Sequence, residues 1–140
     1  GGGINHRLGL DDAAMLKENH IEWSTGISES IKILKGTIPW TKKVIVEAET
    51  PTQAKEAVEA GADGVLLDEM PIETIEKLVP ELRQLSKTSK SKYVSKNIVI
   101  EVSGINPNHL SDYIHTGIDL ISTSAPITKS KWIDFSMRFN

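Results

Sequence analysis

Side chains that bind anions lie close together near the start of the chain. His6 and Arg7 are adjacent and follow a run of glycines, and Lys17 comes shortly after them. An arginine guanidinium offers a planar pair of donors to a carboxylate or phosphate, and a lysine ammonium supplies a compact positive charge. Taken together, these residues predict a site for an anionic ligand. The alternatives are ordinary surface charges or, with weaker support, a Schiff-base role for Lys17.

Carboxylates form a second group of candidate site residues. Glu47 and Glu49 alternate along a predicted strand, so they are expected to share one face, and Asp68 ends a neighbouring strand. Carboxylates at adjacent strand ends suit the hydroxyls of a sugar or a hydrated Mg²⁺, which keeps several waters and takes few protein ligands. The alternative is a set of ordinary helix-capping acids.

Turns of small residues form a third group. Ser103 and Gly104 follow one predicted strand, and the stretch Ser122 to Ala125 follows the next. Backbone N–H groups in such turns can hold a phosphate. These turns follow successive strands late in the chain, and α/β barrels usually bind phosphate at such strand ends.

The elements that must position these groups alternate between strand and helix. Apolar, β-branched runs predict strands at 13–16, 43–48, 63–68, 97–102 and 119–122. Helical apolar spacing, with Pro or Gly at the boundaries, predicts helices at about 27–36, 51–60, 71–85 and 106–115. Pro80 predicts a kink or an early break in the third helix. The basic stretch 86–96 is expected to be a surface loop, and 132–137 is compatible with a last strand.

Apolar strands separated by helices predict a parallel sheet with right-handed crossovers. The polar groups collect just after the strands, and these ends share one face of the sheet. In a barrel of this kind that face carries the active site. The predicted fold class is therefore α/β, with a partial parallel barrel.

Composition limits the other possibilities. The chain has 140 residues, 39% of them hydrophobic, a formal net charge of −3 and no cysteine. This length suits one domain, and the mild charge gives no indication of nucleic-acid or membrane binding. The absence of cysteine agrees with a reducing compartment. The chain begins without Met in a glycine run, so we expect an N-terminally truncated domain.

The motifs resemble those of quinolinate phosphoribosyltransferases, also called nicotinate-nucleotide pyrophosphorylases (carboxylating). The resemblance runs from end to end and implies a TIM-like barrel of the type II phosphoribosyltransferase kind. It makes residues 1–140 a C-terminal catalytic domain without its N-terminal domain. It rests on Gly1-Gly-Gly-Ile-Asn5-His6-Arg7-Leu-Gly9-Leu, Lys17-Glu-Asn19-His20, Val46-Glu47-Ala-Glu49-Thr50, Leu66-Leu67-Asp68-Glu69-Met70, Glu101-Val-Ser103-Gly104, Gly117-Ile-Asp119 and Ile133-Asp134-Phe.

The resemblance implies transfer of a phosphoribosyl group from phosphoribosyl pyrophosphate (PRPP) to quinolinate. Decarboxylation then gives nicotinate mononucleotide, pyrophosphate and CO₂, a step of NAD biosynthesis. His6, Arg7 and Lys17 would hold the quinolinate carboxylates. Glu47 and Asp68 would face the ribose and Mg²⁺, directly or through water. Lys17, Glu47 and Asp68 are the implied catalytic residues.

The phosphate of PRPP is assigned by the resemblance to Ser103 and Gly104, with Ser124 and Ala125 nearby. The turn Ser103-Gly104-Ile105 is shorter than the family's usual Ser-Gly-Gly or Ser-Gly-Asn turn, so the phosphate ligands are where this chain departs from the family. The resemblance also implies a cytoplasmic homodimer or higher homo-oligomer, with no nucleic-acid or membrane partner.

Two other interpretations stay open at this point. One is a paralogous phosphoribosyltransferase with another aromatic acceptor, and the other is a non-catalytic barrel remnant. The presence of Arg7, Lys17, Glu47 and Asp68 together counts against a remnant. The family usually carries a Thr-Arg-Lys-Thr-like segment upstream and an N-terminal domain that completes the partner's site. We therefore expect these 140 residues alone to be inactive or nearly so.

Overall fold

A sheet of parallel strands forms the centre of the structure, a computed structural model that describes residues 2–89 and 93–139. The strands follow one another in chain order across the sheet. They are β1 (Ala14–Leu16), β2 (Val44–Ala48), β3 (Gly64–Asp68), β4 (Val99–Ser103) and β5 (Leu120–Ile121). The predicted parallel α/β fold is confirmed. Within the described residues the barrel is not closed, because β1 and β5 are edges of the sheet.

Each strand is followed by one or two helices, and the three longest helices pack on the core of the sheet. The helices are α1 (Glu18–Glu22), α2 (Ile27–Thr37), α3 (Pro51–Ala60), α4 (Ile72–Thr88), a 3₁₀ helix (Pro107–Tyr113) between β4 and β5, and α5 (Ala125–Thr128). None of the helices in the described part of the chain is long and apolar enough to cross a membrane.

Local sequence signals define α3 at both ends. Thr50 Oγ1 accepts a hydrogen bond from the Gln53 N–H at 3.3 Å, and Gln53 Oε1 accepts one from the Thr50 N–H at 3.1 Å. This reciprocal pair satisfies two donors that the first helical turn leaves open. Gly61 ends the helix in a left-handed conformation, with φ of 96°, which glycine adopts without steric cost.

Of the kink or early break predicted at Pro80, the break does not occur, because α4 continues to Thr88. Proline in a helix interior removes one backbone hydrogen bond and destabilises the helix locally. The buried apolar face of α4, which includes Ile75 and Leu82 on the two sides of Pro80, offsets that loss by packing against the core. Tertiary packing thus overrides the local signal.

The two faces of the sheet differ in character. Val46, Leu67 and Val102 are fully buried and belong to the core shared with the helices. Side chains at the alternate positions, such as Glu47 and Glu101, face the other side, which carries the candidate site.

Three predictions about the later chain need correction. Residues 132–137 form no strand, because a strand needs a hydrogen-bonded neighbour and this segment pairs with none of the described strands. The predicted helix 106–115 is a 3₁₀ helix in which His109 leaves helical geometry. Residues 86–88 belong to α4 instead of a loop, and residues 90–92 of the predicted loop lie outside the described residues.

One hydrogen-bond arrangement occurs twice at the amino ends of the strands. Asp63 precedes β3, and its Oδ2 accepts from the Val44 N–H of β2 at 2.9 Å. Asp119 precedes β5, and its Oδ2 accepts from the Ile100 N–H of β4 at 2.8 Å. In each pair the aspartate N–H also donates to the carbonyl of the same partner at 2.8 Å. The similar segments Gly61-Ala62-Asp63 and Gly117-Ile118-Asp119 therefore serve to align neighbouring strands.

Replacing Asp119 with alanine is expected to lower the free energy of unfolding by about 1–3 kcal/mol, the effect of removing a charged hydrogen-bond acceptor. The change removes the acceptor for Ile100 and the ion pair with Arg83, whose Nη2 lies 2.7 Å from Asp119 Oδ2. Urea unfolding of both proteins measures the difference. Asp112→Ala, which removes an exposed pair with His109, is the control and should change stability by less than about 0.5 kcal/mol.

Candidate active site

The carboxyl ends of the first four strands bring four polar side chains into two hydrogen-bonded pairs. Lys17 follows β1, and its Nζ donates to Glu47 Oε2 on β2 at 2.7 Å. Asp68 ends β3, and its Oδ1 accepts from Ser103 Oγ at the end of β4. Asp68 and Ser103 are register partners, so their side chains share one face of the sheet. We call these four residues the carboxyl-edge cluster.

Charge interactions connect the two halves of this cluster. The pKa of Lys17 is raised, first by its hydrogen bond to Glu47 and then by the negative charges of Glu47, Glu18 and Asp68, while partial burial opposes the shift. Lys17 therefore remains an ammonium ion at neutral pH. A Schiff-base lysine needs the neutral amine and usually a lowered pKa, so this environment favours anion binding by Lys17.

Short local contacts hold Lys17 in place. Its backbone N–H donates to His20 Nδ1 at 3.1 Å, at the start of α1. Glu49 lies just outside the strand, because β2 ends at Ala48 and the Glu49 N–H donates to Gln53 Oε1 at 2.9 Å in the turn that enters α3. Of the two glutamates predicted to alternate along this strand, only Glu47 belongs to β2.

The turns after β3 and β4 pack directly on each other. Glu69 has φ of 51° and Gly104 has φ of 72°, and the Glu69 N–H donates to the Ser103 carbonyl at 3.3 Å. A Cβ atom at position 104 would lie 3.2 Å from Glu69 N and would collide with its side chain. The left-handed conformation and the lack of space both require glycine here.

Replacing Gly104 with alanine is expected to destabilise the protein by about 1–3 kcal/mol, from left-handed strain together with the collision at Glu69. Thermal unfolding of both proteins measures the effect. Gly36→Ala is the matched control, since a Cβ there meets no atom within 4 Å and the site is helical; equal effects of both changes would contradict the prediction.

The structure separates the three predicted anion-binding residues near the start of the chain. His6 Nε2 lies 3.2 Å from Glu101 Oε2 on β4. Arg7 Nη1 donates to the Ala13 carbonyl at 3.1 Å. Since Ala13 precedes β1 and Lys17 follows it, Arg7 and Lys17 lie at opposite ends of that strand. This structure therefore does not bring the three side chains together.

The last predicted phosphate residues lie where α5 begins. The Ser124 carbonyl accepts from the N–H groups of Ile127 and Thr128, both at 2.9 Å, and the Ala125 N–H donates to Thr123 Oγ1 at 3.1 Å. Because β5 neighbours β4, this turn leaves the same edge of the sheet as Ser103.

Sequence reasoning missed one residue of the site, Glu101. It is only 4% exposed and lines a cavity of about 620 Å³ between the segment 2–6 and the face of the sheet that carries the cluster. A single carboxylate within the apolar run Ile98 to Val102 was the available signal, because isolated buried charges are rare without partners.

The donor set fits a weakly held Mg²⁺. The described residues contain no group of three or more His, Cys, Asp or Glu side chains suited to a metal ion. Mg²⁺ keeps several waters and often takes only one or two carboxylates together with substrate phosphates. Glu47 and Asp68, at neighbouring strand ends, match that requirement.

Comparison with known proteins decides the family. The model of the family described as quinolinate phosphoribosyl transferase, C-terminal domain, matches residues 1–138. The chain belongs to this family. Within it, the probable nicotinate-nucleotide pyrophosphorylases [carboxylating] of Synechocystis sp. and Methanothermobacter thermautotrophicus are 37% and 38% identical to it, over 99% and 98% of the chain.

Solved structures of quinolinate phosphoribosyl transferase relatives agree. NadC from Streptococcus pyogenes matches with a TM-score of 0.79 and 34% identity over 99% of the chain and 45% of that protein. The chain covers 44% and 47% of the Synechocystis and Methanothermobacter proteins, so it spans about half the length of these members of the family.

Proposed function

We propose that the protein transfers a phosphoribosyl group from PRPP to quinolinate with decarboxylation, giving nicotinate mononucleotide, pyrophosphate and CO₂. The observation that carries this proposal is the carboxyl-edge cluster, in which the ammonium of Lys17 lies against Glu47 and within the field of Asp68. A cation beside carboxylates suits a substrate pair in which one partner is an anionic acid and the other a sugar phosphate.

The residues supply complementary charges for each step. Lys17, His6 and Arg7 bind and orient the carboxylates of quinolinate, with Arg7 exchanging the Ala13 carbonyl that it contacts in this structure for the substrate. Glu47 and Asp68 accept hydrogen bonds from the ribose hydroxyls and stabilise the positive charge that develops at the ribose carbon. The cationic surroundings of the acid also stabilise negative charge on the pyridine ring as CO₂ leaves.

Phosphate recognition falls to the turns after β4 and β5. Ser103 with Gly104, and Ser124 with Ala125, lie in turns at one edge of the sheet, the place where barrels of this kind commonly bind phosphate. Glu47 and Asp68 would hold Mg²⁺ directly or through water, and the ion would supply positive charge to offset that of the pyrophosphate leaving group.

The proposal extends to the assembly and the compartment. We place the enzyme in the cytoplasm as a homodimer or higher homo-oligomer, acting on small molecules without nucleic-acid or membrane partners. The lack of cysteine fits a reducing compartment. Light scattering after size-exclusion chromatography measures the oligomeric state, and a monomeric active enzyme would contradict this part.

The decisive experiment offers the protein, with all the residues that its gene encodes, both quinolinate and nicotinate in the presence of PRPP and Mg²⁺. Formation of nicotinate mononucleotide and ¹⁴CO₂ from carboxyl-labelled quinolinate is expected, with quinolinate strongly preferred. Preference for nicotinate or another aromatic acid would favour a paralogous transferase. Failure to bind either acid or PRPP would favour a non-catalytic protein.

A further inference from the structure

Glu101 is a buried carboxylate for which the proposed reaction has so far no role. It lies in the middle of β4, between the fully buried residues Ile100 and Val102. Its register partners on the neighbouring strands are Leu66 and Leu120, so its surroundings on the sheet are apolar. Burial of a carboxylate in such surroundings is costly unless it is hydrogen-bonded. The partners of Glu101 therefore indicate why it is there.

Each oxygen of Glu101 has a partner from a different part of the chain. Oε2 lies 3.2 Å from His6 Nε2, across a sequence separation of 95 residues. Oε1 accepts a hydrogen bond from Ser122 Oγ. An ionised carboxylate can only accept hydrogen bonds, so this contact gives the donor role to His6 Nε2 and orients the ring of His6.

These contacts place Glu101 between the two halves of the proposed site. His6 belongs to the residues proposed for quinolinate. Ser122 begins the turn that leads to Ser124 and Ala125, the residues proposed for phosphate, and its backbone N–H continues the ladder to the Val102 carbonyl at 2.9 Å. Ser103 lies two residues beyond Glu101 on the same face of β4. One buried carboxylate thus holds a side chain from each substrate region.

We infer that Glu101 is a positioning residue that orients His6 toward the acid substrate and fixes the turn after β5 through Ser122. The inference rests on the proposed function for the identity of the two substrates. The contact with His6 itself does not depend on that function, so the two can be tested separately.

The His6 contact is tested first in the wild-type protein. Long-range ¹H–¹⁵N spectra of histidine-labelled protein distinguish a protonated Nε2 from a protonated Nδ1, and His6→Ala identifies the signal of His6. A protonated Nε2 is expected at neutral pH. A neutral ring with its proton on Nδ1 alone would overturn the inference, whether or not the protein proves to be an enzyme.

Kinetics of Glu101→Gln then tests the positioning role. The glutamine amide keeps only one accepting oxygen for two donors, so the ring of His6 is no longer held. The KM for quinolinate is expected to rise about tenfold or more, the loss typical of a charge-assisted hydrogen bond, with a much smaller change in kcat. In a His6→Ala background the same substitution should leave the KM for quinolinate unchanged, because its effect passes through His6.

Two further variants separate positioning from simple stability. Ser122→Ala leaves the Glu101–His6 contact in place and should raise the KM for PRPP more than that for quinolinate. Glu76→Gln, an exposed position on α4, is the matched control and should change neither. Glu101→Gln would have a purely structural role if it raised the KM for quinolinate and the KM for PRPP equally, and did so by the same factor in the His6→Ala background. That result would overturn the inference. If Glu101→Gln does not fold, the Ser122→Ala kinetics and the tautomer decide.

An inactive wild-type protein with His6 protonated on Nε2 would contradict the proposed function and leave the geometric part of the inference standing. An active wild-type protein in which Glu101→Gln changes neither KM would support the proposed function and overturn the positioning role of Glu101.

Discussion

Replacing Asp68 with asparagine is expected to lower kcat/KM for phosphoribosyl transfer by about 10²–10³-fold, the range measured when one preorganised group that stabilises transition-state charge is removed. Asp68 is placed at the end of β3 by register pairing with Ser103, whose hydroxyl donates to it. Asparagine keeps the size and one acceptor but removes the negative charge. That charge is the property proposed to stabilise the ribose carbon as positive charge develops there, and it also helps to hold Mg²⁺.

The measurement is steady-state kinetics with quinolinate and PRPP at several Mg²⁺ concentrations. Because the ribose and the metal both depend on Asp68, the loss should be shared between kcat and the Mg²⁺ dependence, while binding of quinolinate alone changes little. The control is Asp112→Asn, since Asp112 is exposed and its carboxylate contacts the nearby residues His109 and Ser111 of the 3₁₀ helix. An Asp68→Asn protein that keeps more than about a third of wild-type kcat/KM would exclude Asp68 as a catalytic group.

Replacing Lys17 with methionine is expected to raise the KM for quinolinate by about 10–100-fold, the loss of one or two charge-assisted hydrogen bonds. Methionine keeps much of the aliphatic stem and removes the ammonium. It also leaves Glu47 without the partner that its Oε2 has at 2.7 Å. An aromatic acid with one carboxylate should lose less affinity than quinolinate, since fewer of its charges meet Lys17.

Steady-state kinetics measures the KM, and isothermal titration of the acid substrates measures the accompanying loss of affinity. Lys32→Met is the control, because Lys32 forms an exposed ion pair with Glu29 on α2 and lies away from the cluster. Unchanged quinolinate affinity in Lys17→Met would remove Lys17 from the proposed clamp. Loss of kcat with unchanged KM would point to a role in the chemical step instead.

The pH dependence of Lys17 follows from the direction of its pKa. The Glu47 hydrogen bond raises that pKa above the ordinary lysine value of 10.5. The pKa of Lys17 is therefore higher in the folded protein than in the unfolded protein. The ion pair with Glu47 then stabilises the fold fully below the unfolded-state pKa, and this stabilisation is lost as the pH rises through the folded-state pKa. Binding of quinolinate should therefore show no titration of Lys17 between about pH 6 and 9, and weakening should begin only in strongly alkaline solution. Calorimetric titrations across this range test the expectation.

Binding of quinolinate is expected to rearrange the carboxyl-edge cluster. Lys17 and Glu47 form an ion pair in this structure, and Asp68 accepts a hydrogen bond from the Ser103 hydroxyl. When a quinolinate carboxylate forms an ion pair with the Lys17 ammonium, Glu47 becomes available to bind a sugar hydroxyl or Mg²⁺. The acid and the metal are therefore expected to bind with positive coupling, and by linkage each should tighten the other equally.

Much of the fold could be predicted from local patterns alone. Burial could be predicted from the β-branched run Val44 to Val46 and from the apolar spacing of α4. Side chains return to the same face every two residues in a strand and every 3.6 residues in a helix. The alternation of the two patterns predicts parallel strands, and parallel strands carry their polar ends to one edge. Lys17, Glu47, Asp68 and Ser103 were therefore placed correctly at strand ends.

Local patterns failed where packing or pairing outweighs them. Pro80 does not break α4, since the buried side chains around it hold the helix together. The apolar segment 132–137 alternates like a strand but pairs with none of the described strands, so its pattern alone produces no regular structure.

The sequence by itself determined the family, the parallel order of the strands and the four residues that share the carboxyl edge. Only the tertiary structure decided which of the charged groups meet: Lys17 with Glu47, His6 with Glu101, and Arg7 with a backbone carbonyl at the far end of β1. The physical reason is distance along the chain. Propensity and periodicity act within one element, whereas a contact across 95 residues depends on how every intervening strand and helix packs.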